Sequence, residues 1–257
     1  MGYEIDPVAE FGMMELAFQC LDFILKGKPK PELIKDKVNY QVMGTNEWKH
    51  SPNFEKINND TITFYLNEKT LTHQKPEKEF FETQIVDFKD RENQNNFYTP
   101  EIIFDSLDVI GGLVYMSPPF EMESYMNGSF SGNLFATINK RDMDISLALY
   151  ELMADGKYFF ITRYLGRASY SGDNSSRALL NPDQKESIPF DNTRFFSKQI
   201  QKGSRLVAFL NINKQPFEII NYGSGKEVSD ESILDAGEPL QIKWHNDSYI
   251  KIPVRKD

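Results

Sequence analysis

The alternating pattern over residues 144–165 constrains the fold more than any other feature of the sequence. Within Asp144 to Leu152, the large aliphatic residues Ile145, Leu147 and Leu149 alternate with Ser146, Ala148 and Tyr150. A two-residue period is that of a β-strand with one face turned to a core. Asp155-Gly156 then marks a tight turn, and Tyr158 to Leu165 returns. The pattern predicts an antiparallel hairpin with these three aliphatic residues in the core.

Further strand-like segments lie on both sides of this hairpin. Alternation predicts strands over Val38–Met43, Thr61–Leu66 and Arg205–Asn213, and a closing strand through Ile250, Ile252 and Val254, which Pro253 favours as an edge strand. The polar passage from Asn67 to Asn96 predicts a long connection or a meandering edge. Strands and helices do not alternate after about residue 45, which argues against a parallel doubly wound sheet. We therefore expect residues 54–254 to form one antiparallel two-sheet sandwich.

The N-terminal segment from Pro7 to Lys26 has the character of a helix. Gly27 follows it at the C-terminal capping position, with Lys26 and Lys28 at the negative end of the helix dipole and prolines just beyond. The helix carries more large apolar residues than one contact face can hide. We expect it either to dock on its own sandwich or to mediate self-association, most simply as a symmetric dimer.

Composition narrows the possible partners. The formal net charge is 29 − 38 = −9, so nucleic acid and anionic membranes are disfavoured as partners. No apolar run reaches the length of a membrane span, and no export signal is visible at the N-terminus. The single cysteine, Cys20, forms neither an intrachain disulfide nor a Cys-x-x-Cys site.

Two motifs resemble catalytic loops without satisfying their requirements. Gly128-Ser129-Phe130-Ser131-Gly132 has the glycine spacing of a hydrolase nucleophile elbow, but Phe130 occupies the nucleophile position within a strand-like segment. Gly223-Ser224-Gly225-Lys226 resembles a phosphate-binding loop. However, Ile220 replaces its first glycine and Glu227 replaces the hydroxyl residue that would hold magnesium.

The other candidate residues favour structural roles. His50, His73 and His245 lack metal-ligand spacing, and His245 is typical of a surface or turn histidine. Asp142 and Asp144 fail the calcium-loop pattern and predict a solvated turn before a strand. We therefore predict no catalytic residue, no metal ligand and no cofactor site in this chain.

Aromatic and arginine residues leave two alternatives open. Trp48, Trp244 and the tyrosines offer a sugar-stacking platform, although aromatic residues at this density are more often core or interface. Arg163 and Arg167, four residues apart, offer a clamp for a carboxylate, with structural salt bridging as the favoured interpretation.

Taken in order, the segments resemble the C-terminal jelly-roll domain of the X-Pro dipeptidyl-peptidase and cocaine esterase (CocE/NonD) family of serine hydrolases. The matching segments are Leu21–Gly27, Val42–Trp48, Asn127-Gly128, Asp142–Leu152, Asp155-Gly156, Arg163, Gly166–Tyr170, Leu179–Pro182, Gly203–Leu206, Asn221–Gly225 and Ser248–Val254. The resemblance implies a galactose-binding-like jelly roll over 54–257. Residues 1–53, helix and strand, would be the C-terminal remnant of an α/β-hydrolase domain.

The resemblance also implies where the chemistry resides. In this family the serine, aspartate and histidine of the triad precede the helix matched by Phe11 to Gly27, so all three would lie before Met1. The chain is then a non-catalytic domain that packs on the α/β-hydrolase domain and has no turnover alone. Two rival interpretations are a stand-alone carbohydrate-binding jelly-roll module and a complete small hydrolase with an unorthodox serine.

Overall fold

The computed structural model describes residues 4–92, 101–191, 193–215 and 217–256. One α-helix and sixteen strands are assigned in this part of the chain. They are α1 (Met13–Lys26), β1 (Val38–Val42), β2 (Glu47–Ser51), β3 (Asp60–Asn67), β4 (Thr70–Thr72), β5 (Phe81–Val86), β6 (Ile103–Phe104), β7 (Leu113–Met116), β8 (Ser124–Gly128), β9 (Ser131–Ile138), β10 (Asp144–Leu152), β11 (Tyr158–Arg167), β12 (Lys185–Phe190), β13 (Phe196–Ile200), β14 (Arg205–Ile212), β15 (Leu240–His245) and β16 (Tyr249–Arg255).

Fourteen of these strands form one mostly antiparallel sheet. Its order is β5-β15-β9-β16-β3-β4-β7-β14-β10-β11-β6, with β12 paired to β9, and β8 paired to both β13 and β16. Among the named strands only β4 and β7 pair in parallel, through Thr70 and Met116. Strands β1 and β2 form a separate two-stranded sheet. The protein is therefore mainly β with one N-terminal helix, as the sequence pattern predicts.

The hairpin predicted from alternation is confirmed. Strand β10 begins and ends at the predicted residues, and β11 continues two residues beyond the predicted end. Gly156 adopts the left-handed conformation with φ 86°, which glycine tolerates best, and its N–H donates to Met153 O at 3.0 Å. Ile145, Leu147 and Leu149 are fully buried in the main core, again as predicted.

The main core contains side chains from strands in both halves of the sheet order. Phe64 of β3, Leu134 of β9 and Ile250 of β16 belong to the same buried cluster as Leu149 of β10 and Leu210 of β14. The opposite face of β10 and β14 is also covered. It carries a second cluster of Ala148, Tyr150, Val207 and Phe209. Strand β10 is thus buried on both faces, which makes it the most enclosed hairpin strand.

The prediction that the closing strand is an edge is wrong. Strand β16 pairs with β3 on one side and with β9 and β8 on the other. Pro253 lies between the residues that pair with β9 (249–251) and those that pair with β8 (254–255). A proline can occupy this central strand because its missing N–H falls between the two ladders.

The N-terminal prediction is partly corrected. The first residues, Pro7–Ala9, form a short 3-10 turn, and α1 starts only after Gly12, whose ψ of 93° is extended. The predicted end is confirmed, because Gly27 caps the helix with φ 65° and its N–H donates to Asp22 O. Part of the polar passage, residues 93–96, lies outside the described residues. The rest contains β4 and β5, and β5 is an end of the sheet order.

Candidate interaction surface

Helix α1 has a narrow polar stripe and a broad apolar surface. Its polar residues Glu15, Gln19, Asp22 and Lys26 follow the i, i+4, i+7, i+11 spacing of a single helix face. At 100° per residue, the apolar side chains cover an arc of about 220°, roughly twice that of an ordinary surface helix. The sequence of α1 therefore calls for apolar contacts on more than one side.

The structure leaves these apolar side chains uncovered. No residue of α1 is buried, and Met14, Phe18 and Leu25 are 69%, 62% and 74% exposed. The predicted docking of this helix on its own sandwich is therefore wrong for this fold. The other predicted outcome, a symmetric dimer, stays a prediction. A contiguous apolar surface of this kind usually marks an interaction site.

The segment before α1 holds the helix to the β1–β2 hairpin. Trp48 Nε1 donates to Val8 O at 2.7 Å, and the Val8 N–H donates to Asn46 Oδ1 at 3.0 Å. The rings of Phe11 and Trp48 meet edge to face, with their centroids 5.5 Å apart. We call the apolar residues of α1 together with Phe11 and Trp48 the N-terminal surface.

A carboxylate fixes the start of the same segment. Asp6 accepts hydrogen bonds from the Gln41 side chain at 2.5 Å and from the Gly44 N–H at 2.9 Å. At the other end, the carboxylate of Asp22 contacts Lys26 and Lys28, each at 2.6 Å. Hydrogen bonds from these two lysines, Lys26 first, hold the pKa of Asp22 below its ordinary value. The polar stripe is thus satisfied locally and needs no partner.

The β1–β2 hairpin is itself tied to the large sheet. The Met43 N–H donates to Ser197 O at 3.0 Å, and the Gln199 N–H donates to Met43 O at 3.1 Å. Tyr40 and Val42 also pack with Ile57 in a small separate core. These contacts position the N-terminal surface relative to β13.

A buried ion pair lies directly beneath this attachment. Lys198 Nζ is 2.8 Å from Glu151 Oε2 and 4.4 Å from the centre of the Phe159 ring. Sequence reasoning missed this pair, because 47 positions separate the two residues and no local pattern relates them. A buried charge that is paired and hydrogen-bonded is the expected exception to the rule that charges stay exposed.

The glycine-spaced segment 128–132 is a turn between two strands. Phe130 is fully buried in the core, and Gly132 belongs to β9. A Cβ on Gly132 would lie 2.3 Å from Tyr249 O, so glycine is required there for close strand packing. The segment therefore serves packing, as the sequence indicated.

The loop 223–226 does cradle an anion, but the anion is the protein's own. The backbone N–H groups of Tyr222 and Ser224 donate to the Glu231 carboxylate at 2.7 and 2.9 Å, and the Ser224 hydroxyl contacts it too. Backbone N–H groups that converge in a turn form such anion-binding concavities. An internal carboxylate occupies the position that a phosphate would take.

The three histidines lie apart from one another. His50 contacts Asn39, His73 contacts Thr63 O, and His245 Nε2 is 2.9 Å from Thr137 Oγ1. None of them contacts a serine or a carboxylate among the described residues. Within the same residues, no group of three or more His, Cys, Asp or Glu side chains is arranged to hold a metal ion.

The interpretation of Asp142 and Asp144 as a solvated turn is wrong. Asp142 is fully buried and accepts hydrogen bonds from the Ser169 hydroxyl at 2.7 Å and from Arg177 at 3.0 Å. Asp144 receives two bonds from Arg167, at 2.8 and 3.0 Å. The arginines neutralise both carboxylates, and this pairing makes their burial possible.

The arginines and tryptophans that the sequence offers as binding residues have structural contacts of their own. Arg167 is paired with Asp144, and Arg163 is 3.0 Å from Glu218, so structural salt bridging is confirmed for both. Trp244 is only 2% exposed and donates to Gln84 at 2.8 Å. Because Trp244 lies in the core and Trp48 lies in the N-terminal surface, they form no common stacking platform.

Comparison with known protein families shows which family this chain belongs to. Residues 35–221 match the profile of the X-Pro dipeptidyl-peptidase C-terminal non-catalytic domain. The chain belongs to this family. The β1–β2 hairpin lies within the matched range and α1 lies before it. None of the curated proteins compared with the chain matches it significantly.

Solved structures share the fold of this X-Pro dipeptidyl-peptidase C-terminal domain. They include an aminopeptidase from the marine sediment archaeon Thaumarchaeota archaeon (TM-score 0.77, 16% identity, 95% of this chain and 44% of that one). An α-amino acid ester hydrolase is also similar, with a TM-score of 0.72 and 19% identity over 90% of this chain and 42% of that one. A CocE/NonD family hydrolase from Staphylococcus aureus has a TM-score of 0.67 and 16% identity over 95% of this chain and 45% of that one. The chain spans less than half the length of each. Among the residues that the structure describes, no helix is long and apolar enough to cross a membrane.

Proposed function

We propose that this chain is the C-terminal, non-catalytic jelly-roll domain of a serine hydrolase of the X-Pro dipeptidyl-peptidase or acyl esterase type. In this proposal it packs on an α/β-hydrolase domain and helps to shape that domain's pocket. The strand order is the basis for the jelly roll, since one core unites strands from both ends of the order. The domain boundary at residue 53 stays a prediction.

The observation that carries the proposal is the N-terminal surface. A 14-residue helix with no buried residue and a 220° apolar arc is a poor candidate for a solvated element. Burying one large apolar side chain stabilises by about 1.5–3 kcal/mol. A rigid α/β-hydrolase domain with a complementary apolar surface would bury several of these side chains at once.

In the intact enzyme, the reaction would be nucleophilic acyl transfer performed by the other domain. An elbow serine would attack an ester or X-Pro peptide carbonyl, and water would release the acyl group. The residues of this chain would then support the catalytic domain and help to enclose its pocket, without taking part in bond breaking.

Sequencing the gene upstream of the codon for Met1, followed by an activity assay, tests the proposal. We expect an in-frame α/β-hydrolase domain with a G-x-S-x-G elbow. The extended protein should hydrolyse nitrophenyl esters or X-Pro nitroanilides, and residues 1–257 alone should not exceed buffer background. Turnover by residues 1–257 that disappears on Ser129→Ala or Ser131→Ala would overturn the proposal, as would an upstream region that encodes no hydrolase domain.

A further inference from the structure

A cavity of about 510 Å³ opens beside the end of β11. Its walls come from residues 163–167 of β11, from residues 170, 171 and 174 after it, from residues 189–191, 193 and 194, and from Glu218. The volume lies within the usual range of small-molecule sites. The cavity is separate from α1, none of whose residues lines it.

Arginine is strongly enriched in the lining of this cavity. The chain has 8 arginines and 21 lysines, yet Arg163, Arg167 and Arg194 line the cavity and no lysine does. The lining holds two carboxylates, those of Asp191 and Glu218. Counting Asp144, which pairs with Arg167 from outside the lining, three carboxylates accompany these three arginines. Guanidinium groups match the planar geometry of a carboxylate better than lysine ammonium groups do.

Two of these guanidinium groups are held in place by internal carboxylates. Asp144 binds Arg167 through Nε and Nη2 and is itself fixed by Asn221 Nδ2 at 2.9 Å. This pairing leaves the two N–H donors of Arg167 Nη1 available. Arg163 is held by Glu218 at 3.0 Å. A guanidinium that is already positioned loses little side-chain entropy when it binds a ligand.

Arg194 differs from the other two arginines of the lining. It is exposed, and no acidic side chain of the described residues forms an ion pair with it within 4.0 Å. Its guanidinium carries five N–H donors, and the residue lines the same cavity as Arg163 and Arg167. An incoming anion would therefore meet one guanidinium that has no ion-pair partner among the described residues, together with Arg167, which Asp144 holds in place.

The lining also includes aromatic and apolar residues, beside the polar Ser171, Asn174 and Thr193. Tyr164 stacks on Phe190 with ring centroids 4.6 Å apart and an interplanar angle of 25°. Tyr170, Pro189 and Leu165 also line the cavity. A flat apolar group would lie against this wall while a charged end reaches the arginines.

We propose that this cavity binds a small organic acid that carries a carboxylate on a flat apolar body. Arg194 and Arg167 Nη1 donate to the carboxylate, and the Tyr164–Phe190 wall receives the apolar body. The site does not depend on the docking of α1 or on the catalytic domain, so it can fail while the proposed function stands.

Calorimetric titration of the full chain with N-benzoylglycine tests the site. Its uncharged amide, N-benzoylglycinamide, is the matched control ligand. Inorganic phosphate tests whether a bare anion is enough for binding, and galactose tests whether a neutral sugar binds. We expect N-benzoylglycine to bind at up to millimolar concentration and the amide to bind about tenfold more weakly or worse, since hydrogen bonds to charged groups are the strong ones.

Two charge-removing variants complete the test. Arg194→Gln should weaken N-benzoylglycine binding by about tenfold. Lys157→Gln should leave it unchanged, since Lys157 precedes the opposite end of β11, about 20 Å along the strand from Arg163 and about 30 Å from Arg167. Thermal melting checks that both variants fold. The proposal is overturned by equal binding of acid and amide, by phosphate or galactose binding as tightly as the acid, by no binding of the acid, or by an Arg194→Gln variant that binds normally.

Discussion

Lys198 Nζ lies 2.8 Å from Glu151 Oε2, and both side chains are almost completely buried. Glu151 belongs to β10 and Lys198 to β13, two strands that are not neighbours in the sheet order. The other Glu151 oxygen accepts a hydrogen bond from the Gln201 N–H at 3.0 Å. The pair therefore links the strand that carries the β1–β2 hairpin to the most enclosed strand of the sheet.

Replacing Glu151 with Gln should destabilise the protein strongly. The substitution leaves the Lys198 ammonium buried without its counter-charge, which costs about 3 kcal/mol in the free energy of unfolding. Chemical denaturation measures this loss. The double variant Glu151→Leu with Lys198→Met removes both charges and should lose less than the single variant does. Equal losses in the single and double variants would show that the ion pair is not the cause.

Replacing Gly132 with Ala should lower the free energy of unfolding by about 2 kcal/mol. The new methyl group would lie 2.3 Å from Tyr249 O and 2.7 Å from the Phe190 ring, so neighbouring strands must separate. Gly172→Ala is the matched control, since a Cβ there meets no atom within 4 Å. Identical melting temperatures for the two variants would contradict the close packing of β9 against β16.

Leu149→Asp should abolish folding. Leu149 is fully buried, and an unpaired carboxylate in an apolar core costs several kcal/mol, comparable with the total of about 5–15 kcal/mol that stabilises a domain. Ile85→Asp is the control, because Ile85 is 68% exposed on β5. We expect that control to lose about 1 kcal/mol or less. Circular dichroism melting distinguishes the two variants, and a cooperative transition of normal midpoint in Leu149→Asp would refute the core assignment.

His245 should make stability fall on acidification. Burial holds the pKa of this imidazole below its ordinary value of 6.5, and Lys185 adds to the effect. Below about pH 6.5 the unfolded chain takes up a proton that the folded chain resists, so this contribution is complete above that pH and is lost as the pH falls. Unfolding curves at about pH 7 and about pH 5 should therefore differ less for His245→Gln than for the unaltered chain. Equal differences would exclude His245 as the source.

Much of the fold could be predicted from the sequence because local patterns specify it. The period of two over 144–152 and the turn at Gly156 reflect backbone geometry that neighbouring residues determine. The end of α1 at Gly27 is similarly local. The prediction that Pro253 marks an edge strand is wrong, because whether a strand tolerates a proline depends here on two partner strands that are distant in sequence.

The buried polar pairs could not be predicted for the same reason. Asp142 meets Arg177, and Glu151 meets Lys198, only after long-range strand pairing has brought them together. An isolated aspartate beside a strand is ordinarily solvated, so its burial becomes visible only with its partner. The apolar arc of α1, by contrast, is visible in the sequence, but its exposure is not: the pattern predicts contacts, and the expected docking on the sandwich is absent from the structure.

Hydrogen exchange of α1 tests the central claim most directly. It should be measured in residues 1–257 alone and in the protein extended through the upstream coding region. We predict rapid exchange of the α1 amides in the isolated chain, since no packing protects the helix, and strong protection in the extended protein. Light scattering on residues 1–257 identifies any self-association that would protect α1 without a partner domain. Equal exchange of α1 in both proteins, or protection that follows dimer formation alone, would contradict the account.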